Sequence, residues 1–240
     1  MQNIYNIEIQ EEINRYGNTN LIANSGFNNN SQIYAFGDSH SIFFYNSLLI
    51  KEHWVGNSKN FGITFYSLSK NTDIYNIGTI LQNNHEKYNI KKNDYILFSF
   101  GFNDIQLRVK QYTNGDYIKE INILVDKYID TLIYFKNKFL IYPIINCIYP
   151  NPRLEAKGVN SCGTFEERKI YTIYTNKYLK QKCKENKIEF FDIYNFITDN
   201  DGFIKNIYTK DGIHLDNNNN FLRNFIDNKL IEYCKKYDVC

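Results

Sequence analysis

The chain has 240 residues, 43% of them hydrophobic and 22% charged, with a formal net charge of +2 at pH 7. That length suits one main domain with a substantial core, and a near-neutral charge with scattered lysines gives no footprint for nucleic acid. No run of about 18 apolar residues is available to cross a membrane, and Met1 to Gln10 lacks the basic-then-apolar pattern of a signal peptide, so no membrane partner and a cytoplasmic location are expected.

Residues 1–31 read as an N-terminal extension ahead of a domain spanning 32–240. Asn18 to Asn30 is rich in Asn, Ser and Gly, a loop composition, and residues 4–15 fit a short helix or strand. Order begins at Ile33-Tyr34-Ala35-Phe36, an apolar run closed by Gly37 that reads as a buried strand. Leu48 to Val55, ending at Gly56, is a second, and Tyr95 to Phe100, ending at Gly101, is a third. Residues 117–137 carry Ile118, Ile121, Val125, Tyr128, Ile129 and Leu132 at the period of an amphipathic helix. Phe139 to Ile145 is the fourth predicted strand. A helix over 165–185 follows Thr164, whose hydroxyl is spaced from Glu167 as a capping box requires. Ile188 to Ile193 is the fifth strand, Asn217 to Asn220 a turn, and Leu222, Ile226, Leu230 and Tyr233 mark a last helix. Strands alternating with helices predict an α/β fold whose parallel sheet is covered on both faces. Pro143, Pro150 and Pro152 cluster after the fourth strand, so Asn146 to Gly163 reads as a long loop at the sheet rim, where ligands of open α/β sheets bind.

Three short motifs lie at the ends of these elements: Phe36-Gly37-Asp38-Ser39-His40, Gly101-Phe102-Asn103-Asp104 and Asp211-Gly212-Ile213-His214. Each alone has an ordinary reading, since Asp and Ser cap helices and Asn, Asp and Gly form turns. Their order and positions make the combination informative. Ser39 stands where a strand hands over to a helix, with free N–H groups and the positive end of a helix dipole ahead of it. Asn103 offers an amide donor beyond the third strand. Asp211 can reach one nitrogen of His214 while the other faces the serine. A nucleophile, an oxyanion donor, and a base with its orienting carboxylate are the parts of a serine esterase.

The three motifs resemble the first, third and fifth blocks of the SGNH (GDSL-type) hydrolases. His53-Trp54-Val55-Gly56 and Phe98-Ser99-Phe100-Gly101 are similar to a subgroup whose first block reads GDSH, as does the stretch from Thr164 through Asp201-Gly202 to the last motif. The resemblance spans roughly residues 32–232. It implies a flavodoxin-like three-layer α/β/α sandwich with a five-stranded parallel sheet, and a Ser39–His214–Asp211 triad that needs no cofactor or metal. It also implies an oxyanion hole from the Ser39 N–H, the Asn103 side chain and a second-block glycine. That glycine has no clean match: Gly56 ends the second strand, with Gly62 and Gly78 as alternatives. The GDSH subgroup is associated with surface-glycan biosynthesis, so the substrate class suggested is a small-molecule or glycan ester, acetyl among the acyl groups. Two rivals share the fold: an acyltransferase on the same triad, and a glycan-binding protein without turnover, which the complete triad disfavours.

Other residues keep structural readings. His40 is read as structural or substrate-lining, His53 and His85 have no partner in sequence, and Asp104 is expected to cap the helix after the third strand. Arg108 and Arg153 could reach the site rim or simply lie on solvated faces. Cys147, Cys162, Cys183, Cys234 and Cys240 contain no CxxC pair, which argues against a zinc site and for reduced thiols. The 21 Tyr and 18 Phe, beside abundant Asn, Ile and Lys, fit AT-rich codon usage better than sugar-stacking platforms. Oligomeric state is not legible.

Overall fold

The computed structural model describes residue 10 and residues 32–47, 49–55, 90–107, 109–112, 115–153, 161–209 and 211–236. The N-terminal extension apart from Gln10, the glycines Gly56, Gly62 and Gly78, and His85, Arg108 and Cys240 therefore lie outside the described residues.

Five strands form one parallel sheet: β1 (Ile33–Gly37), β2 (Ile50–Val55), β3 (Tyr95–Ser99), β4 (Tyr142–Asn146) and β5 (Glu189–Phe191), in the order β2-β1-β3-β4-β5. Tyr34, Ala35, Ile96, Leu97 and Phe98 are fully buried. That is why β1 and β3 read as unbroken apolar runs, since a parallel sheet is covered on both faces. A 3-10 helix (Ser39–Asn46) follows β1. Helices α1 (Phe102–Leu107), α2 (Val109–Tyr112) and α3 (Tyr117–Phe139) lead from β3 to β4. Helix α4 (Phe165–Glu185) leads from β4 to β5, and α5 (Tyr194–Ile197), a 3-10 turn (Asn206–Tyr208) and α6 (Asn220–Lys236) complete the three-layer α/β arrangement. No helix among the described residues is long and apolar enough to cross a membrane.

The predicted helices at 117–137 and 165–185 form almost as read. Helix α4 carries the full capping box: the Glu167 N–H donates to Thr164 Oγ1 at 3.2 Å and the Thr164 N–H to Glu167 Oε2 at 2.8 Å. Some readings differ. Phe139 closes α3 and does not open β4, because Leu140 takes a left-handed conformation (φ 55°) that reverses the chain before Tyr142. The fifth strand is confined to Glu189–Phe191. Asp104 is no cap: the Ile105 N–H already donates to the Gly101 carbonyl at 3.1 Å, so α1 has begun and Asp104 is buried in its interior.

The described start of the long post-β4 loop is not a solvated one. Cys147 to Pro152 is buried. Asn176 on α4 clamps Ile148 in both directions at 2.8 Å, and Asn151 donates to the Phe165 carbonyl at 2.8 Å while accepting from Gln106. Buried backbone polar groups must find partners, and asparagine side chains supply them here.

Candidate active site

In this strand order the chain leaves β1 for β2 and then crosses back over β1 to β3. The carboxyl ends of β1 and β3 therefore flank the switch point where open α/β sheets bind ligands. Gly37 pairs with Ser99 across those two strands, and the Asp38 N–H donates to the Ser99 carbonyl at 3.0 Å. A Cβ at Gly37 would collide with the Ser99 carbonyl oxygen and the Ser41 side chain, so the turn into Ser39 admits no side chain there. Asp38 then caps the 3-10 helix: its Oδ1 accepts from the His40 N–H at 3.0 Å, and its carbonyl accepts from the Ser41 N–H at 3.0 Å and Ser41 Oγ at 2.7 Å. Capping and partial exposure of the Ser39 side chain thus coexist in one turn, with Ser39 half-buried as the first helical residue. Its N–H has no acceptor within the helix.

Asp211 and His214 come from a loop fastened at both sides. Thr209 bridges to Leu215, the Asp216 N–H donates to the Tyr208 carbonyl at 2.7 Å, and Asn219 Nδ2 donates to the Ile207 carbonyl at 2.9 Å. Within it, Asp211 Oδ1 accepts from the N–H groups of Ile213 (2.8 Å) and His214 (2.7 Å). Gly212 at φ 76° makes that tight turn, in a region where glycine pays no steric penalty. Asp211 Oδ2 lies 2.7 Å from His214 Nδ1, and His214 Nε2 lies 3.2 Å from Ser39 Oγ. Residues 175 positions apart are thereby joined in one hydrogen-bonded run. Burial works to raise the Asp211 carboxyl, but the His214 ring and the N–H groups of His214 and Ile213 outweigh it and pull the group down to about 2. The carboxyl is an anion wherever an imidazole could act as a base.

Asn103 is the second residue of α1, half-buried, just beyond Gly101. The start of α1 abuts the Ser39 turn, since the His40 and Phe102 rings approach to 3.6 Å between centroids. His53 lies on β2, one strand away. Arg153 does not join these groups; it pairs with Asp199 at 2.6 Å and Asp201 at 2.9 Å and covers the Phe203 ring. Cys147, Cys162 and Cys183 are free thiols, and no cluster of metal-ligating side chains occurs among the described residues.

Sequence reasoning missed the layer behind Ser39. His40 is buried, with its ring 4.8 Å from that of His214 and edge-on to Tyr149 at 5.8 Å. Asn146 Nδ2 donates to Ser99 Oγ and to the Tyr149 hydroxyl, both at 3.0 Å. The one sequence signal was a histidine beside Ser39; Tyr149 and Asn146 carried none, because their meeting is a product of the tertiary fold.

A model of the GDSL-like Lipase/Acylhydrolase family matches residues 33–220, a span containing all three motifs. Among solved structures, a candidate acylhydrolase from Bacteroides fragilis NCTC 9343 is similar with a TM-score of 0.56 at 15% identity, covering 95% of this chain and 96% of its own. A GDSL-like lipase from Bacteroides thetaiotaomicron VPI-5482 gives 0.53 at 12% identity and 98% of each chain. No curated protein matches the sequence significantly. At these identities the solved structures speak for the fold, and the family match speaks for the class. The chain belongs to the GDSL-like lipase/acylhydrolase family and is an SGNH-type serine hydrolase that acts on esters.

Proposed function

We propose that this hydrolase removes a short acyl group, acetyl in the first instance, from a carbohydrate ester, with Ser39, His214 and Asp211 as its triad. The observation that carries the reading is the run of contacts Ser39 Oγ–His214 Nε2 at 3.2 Å and His214 Nδ1–Asp211 Oδ2 at 2.7 Å, within reach for an activated nucleophile. Ser39 Oγ attacks the ester carbonyl carbon as its proton passes to His214 Nε2. Asp211 holds the Nδ1–H tautomer and stabilises the imidazolium. The carbonyl oxygen becomes an oxyanion facing the Ser39 N–H and the Asn103 side chain, with a second-block glycine N–H as the third donor: Gly56 by its place after the second strand, with Gly62 and Gly78 as the alternatives. The C–O bond to the alcohol breaks as His214 returns the proton to it. Water then attacks the acyl-serine with His214 again as base, releasing the acid. The carbohydrate part rests on the GDSH form of the first block.

Labelling with a fluorophosphonate probe tests the nucleophile, with one adduct expected at Ser39. No adduct there, in protein that is folded, overturns the assignment. Acetate release from acetylated saccharides, followed with and without a free sugar acceptor, separates hydrolysis from acyl transfer.

Asn103→Ala is expected to lower kcat about 10²- to 10³-fold, or roughly 2.7–4 kcal/mol, with KM for a short ester nearly unchanged. A change confined to KM would mean that Asn103 contacts the ground-state substrate instead.

A further inference from the structure

The reaction as described leaves one built feature unused. A small cavity of about 10 Å³, room for a single water, is lined by Asp38, His40, Ser99, Phe102 and Tyr149 among others. Two of these bring buried atoms with no hydrogen-bond partner. Asp38 is 1% exposed; its Oδ1 is taken by the His40 N–H, and its Oδ2 completes no hydrogen bond of good geometry although the Phe102 and Asn103 N–H groups approach the carboxyl. His40 is 3% exposed, its ring 3.6 Å from that of Phe102 and 4.8 Å from that of His214, and its Nδ1 is unpaired. Tyr149 accepts from Asn146 and keeps a hydroxyl proton to donate. The residues lining this space thus carry a buried carboxyl oxygen, an imidazole nitrogen and a phenol, within the two to four polar partners that a structural water needs.

We propose that this cavity is a site for one water molecule that links Asp38 Oδ2 to His40 Nδ1. The water locks His40 as the neutral Nε2–H tautomer against His214 and lets Asp38 gain or lose a proton without changing that tautomer. In the protonated state Asp38 Oδ2–H donates to the water oxygen, and the water donates to His40 Nδ1. When Asp38 releases its proton to solvent, the water gives one hydrogen to the carboxylate and the other still to Nδ1. His40 thus sees the same donor in both states.

The surroundings favour that division. Burial pushes the Asp38 carboxyl up to about 7; the His40 N–H opposes this, Asp104 on α1 adds to it, and the N–H groups of Asn103 and Phe102 oppose it further. Tyr128 on α3 and Tyr149 after β4 are the other titratable groups facing Asp38, and both stay neutral because burial raises them. Burial holds His40 well below the ordinary imidazole range, the charge on His214 lowers it further, and Asp211 opposes only in part. His40 is therefore a positioning residue: an uncharged ring that steadies His214 without repelling its imidazolium.

Nitrogen-15 NMR of histidine-labelled protein tests this, with His40 assigned by its loss in His40→Phe. Between pH 5 and 8 His40 should remain the neutral Nε2–H tautomer, and its Nδ1 shift should show one small step near pH 7 that Asp38→Asn abolishes. Protonation of His40 in that range, an Nδ1–H tautomer, or a step that survives Asp38→Asn overturns the proposal. The wild-type spectra decide the tautomer and charge even if neither variant folds. Because the readout is protonation and not turnover, it stands apart from the esterase reading.

Discussion

Ser39→Ala should lower kcat for small acetyl and aryl esters by about 10⁴- to 10⁶-fold while leaving the fold intact. The size follows from what a hydroxyl does in such a site: it forms the covalent intermediate, and without it only the oxyanion donors and substrate binding remain. The intact fold follows from the turn itself. Asp38, not Ser39, caps the 3-10 helix, and the sharp geometry depends on Gly37 and on the Asp38 N–H bonded to Ser99. Removing Oγ therefore deletes its hydrogen bond to His214 and little else. Far-ultraviolet circular dichroism and thermal unfolding should match the parent. Activity within tenfold of the parent would show that Ser39 is not the nucleophile.

The parts of this molecule that could be read from its sequence are those set by local physics. Ile33 to Gly37 and Tyr95 to Gly101 announce themselves as strands because β1 and β3, central in a covered parallel sheet, bury both faces and stop at glycines. The Thr164–Glu167 cap is a three-residue device and is legible for the same reason. Phe139 misled because the apolar period of α3 runs straight into that of β4, and the reversal between them falls on Leu140, a residue that does not advertise a left-handed conformation. In the site, Asp211 and His214 were legible as a pair because a short loop joins them. Their reach to Ser39 was inferred from motif order and not from spacing. The layer of His40, Ser99, Asn146 and Tyr149 was not legible, since it assembles from the ends of β1, β3 and β4, which only strand order brings together.

Asp211→Asn should lower kcat by about 10²- to 10⁴-fold, and the reason is tautomeric more than electrostatic. The asparagine carbonyl can keep the two backbone hydrogen bonds that Asp211 Oδ1 now accepts from Ile213 and His214, which preserves the loop. Its NH₂ then faces His214 Nδ1 as a donor, drives the ring proton onto Nε2, and presents an N–H instead of a lone pair to Ser39 Oγ. The upper end of the range holds for a fully buried carboxylate; here the Asp211 side chain is 51% exposed, so solvent softens the charge effect while the tautomer effect persists. With Asp211 drawn down to about 2, the native carboxylate is ionised across the neutral range, so its charge is present wherever the parent is active. In the asparagine variant the plateau of kcat against pH stays depressed, because no pH restores the tautomer. A variant with an unchanged plateau would reduce Asp211 to a brace for the loop and leave His214 to act as a base without an orienting carboxylate.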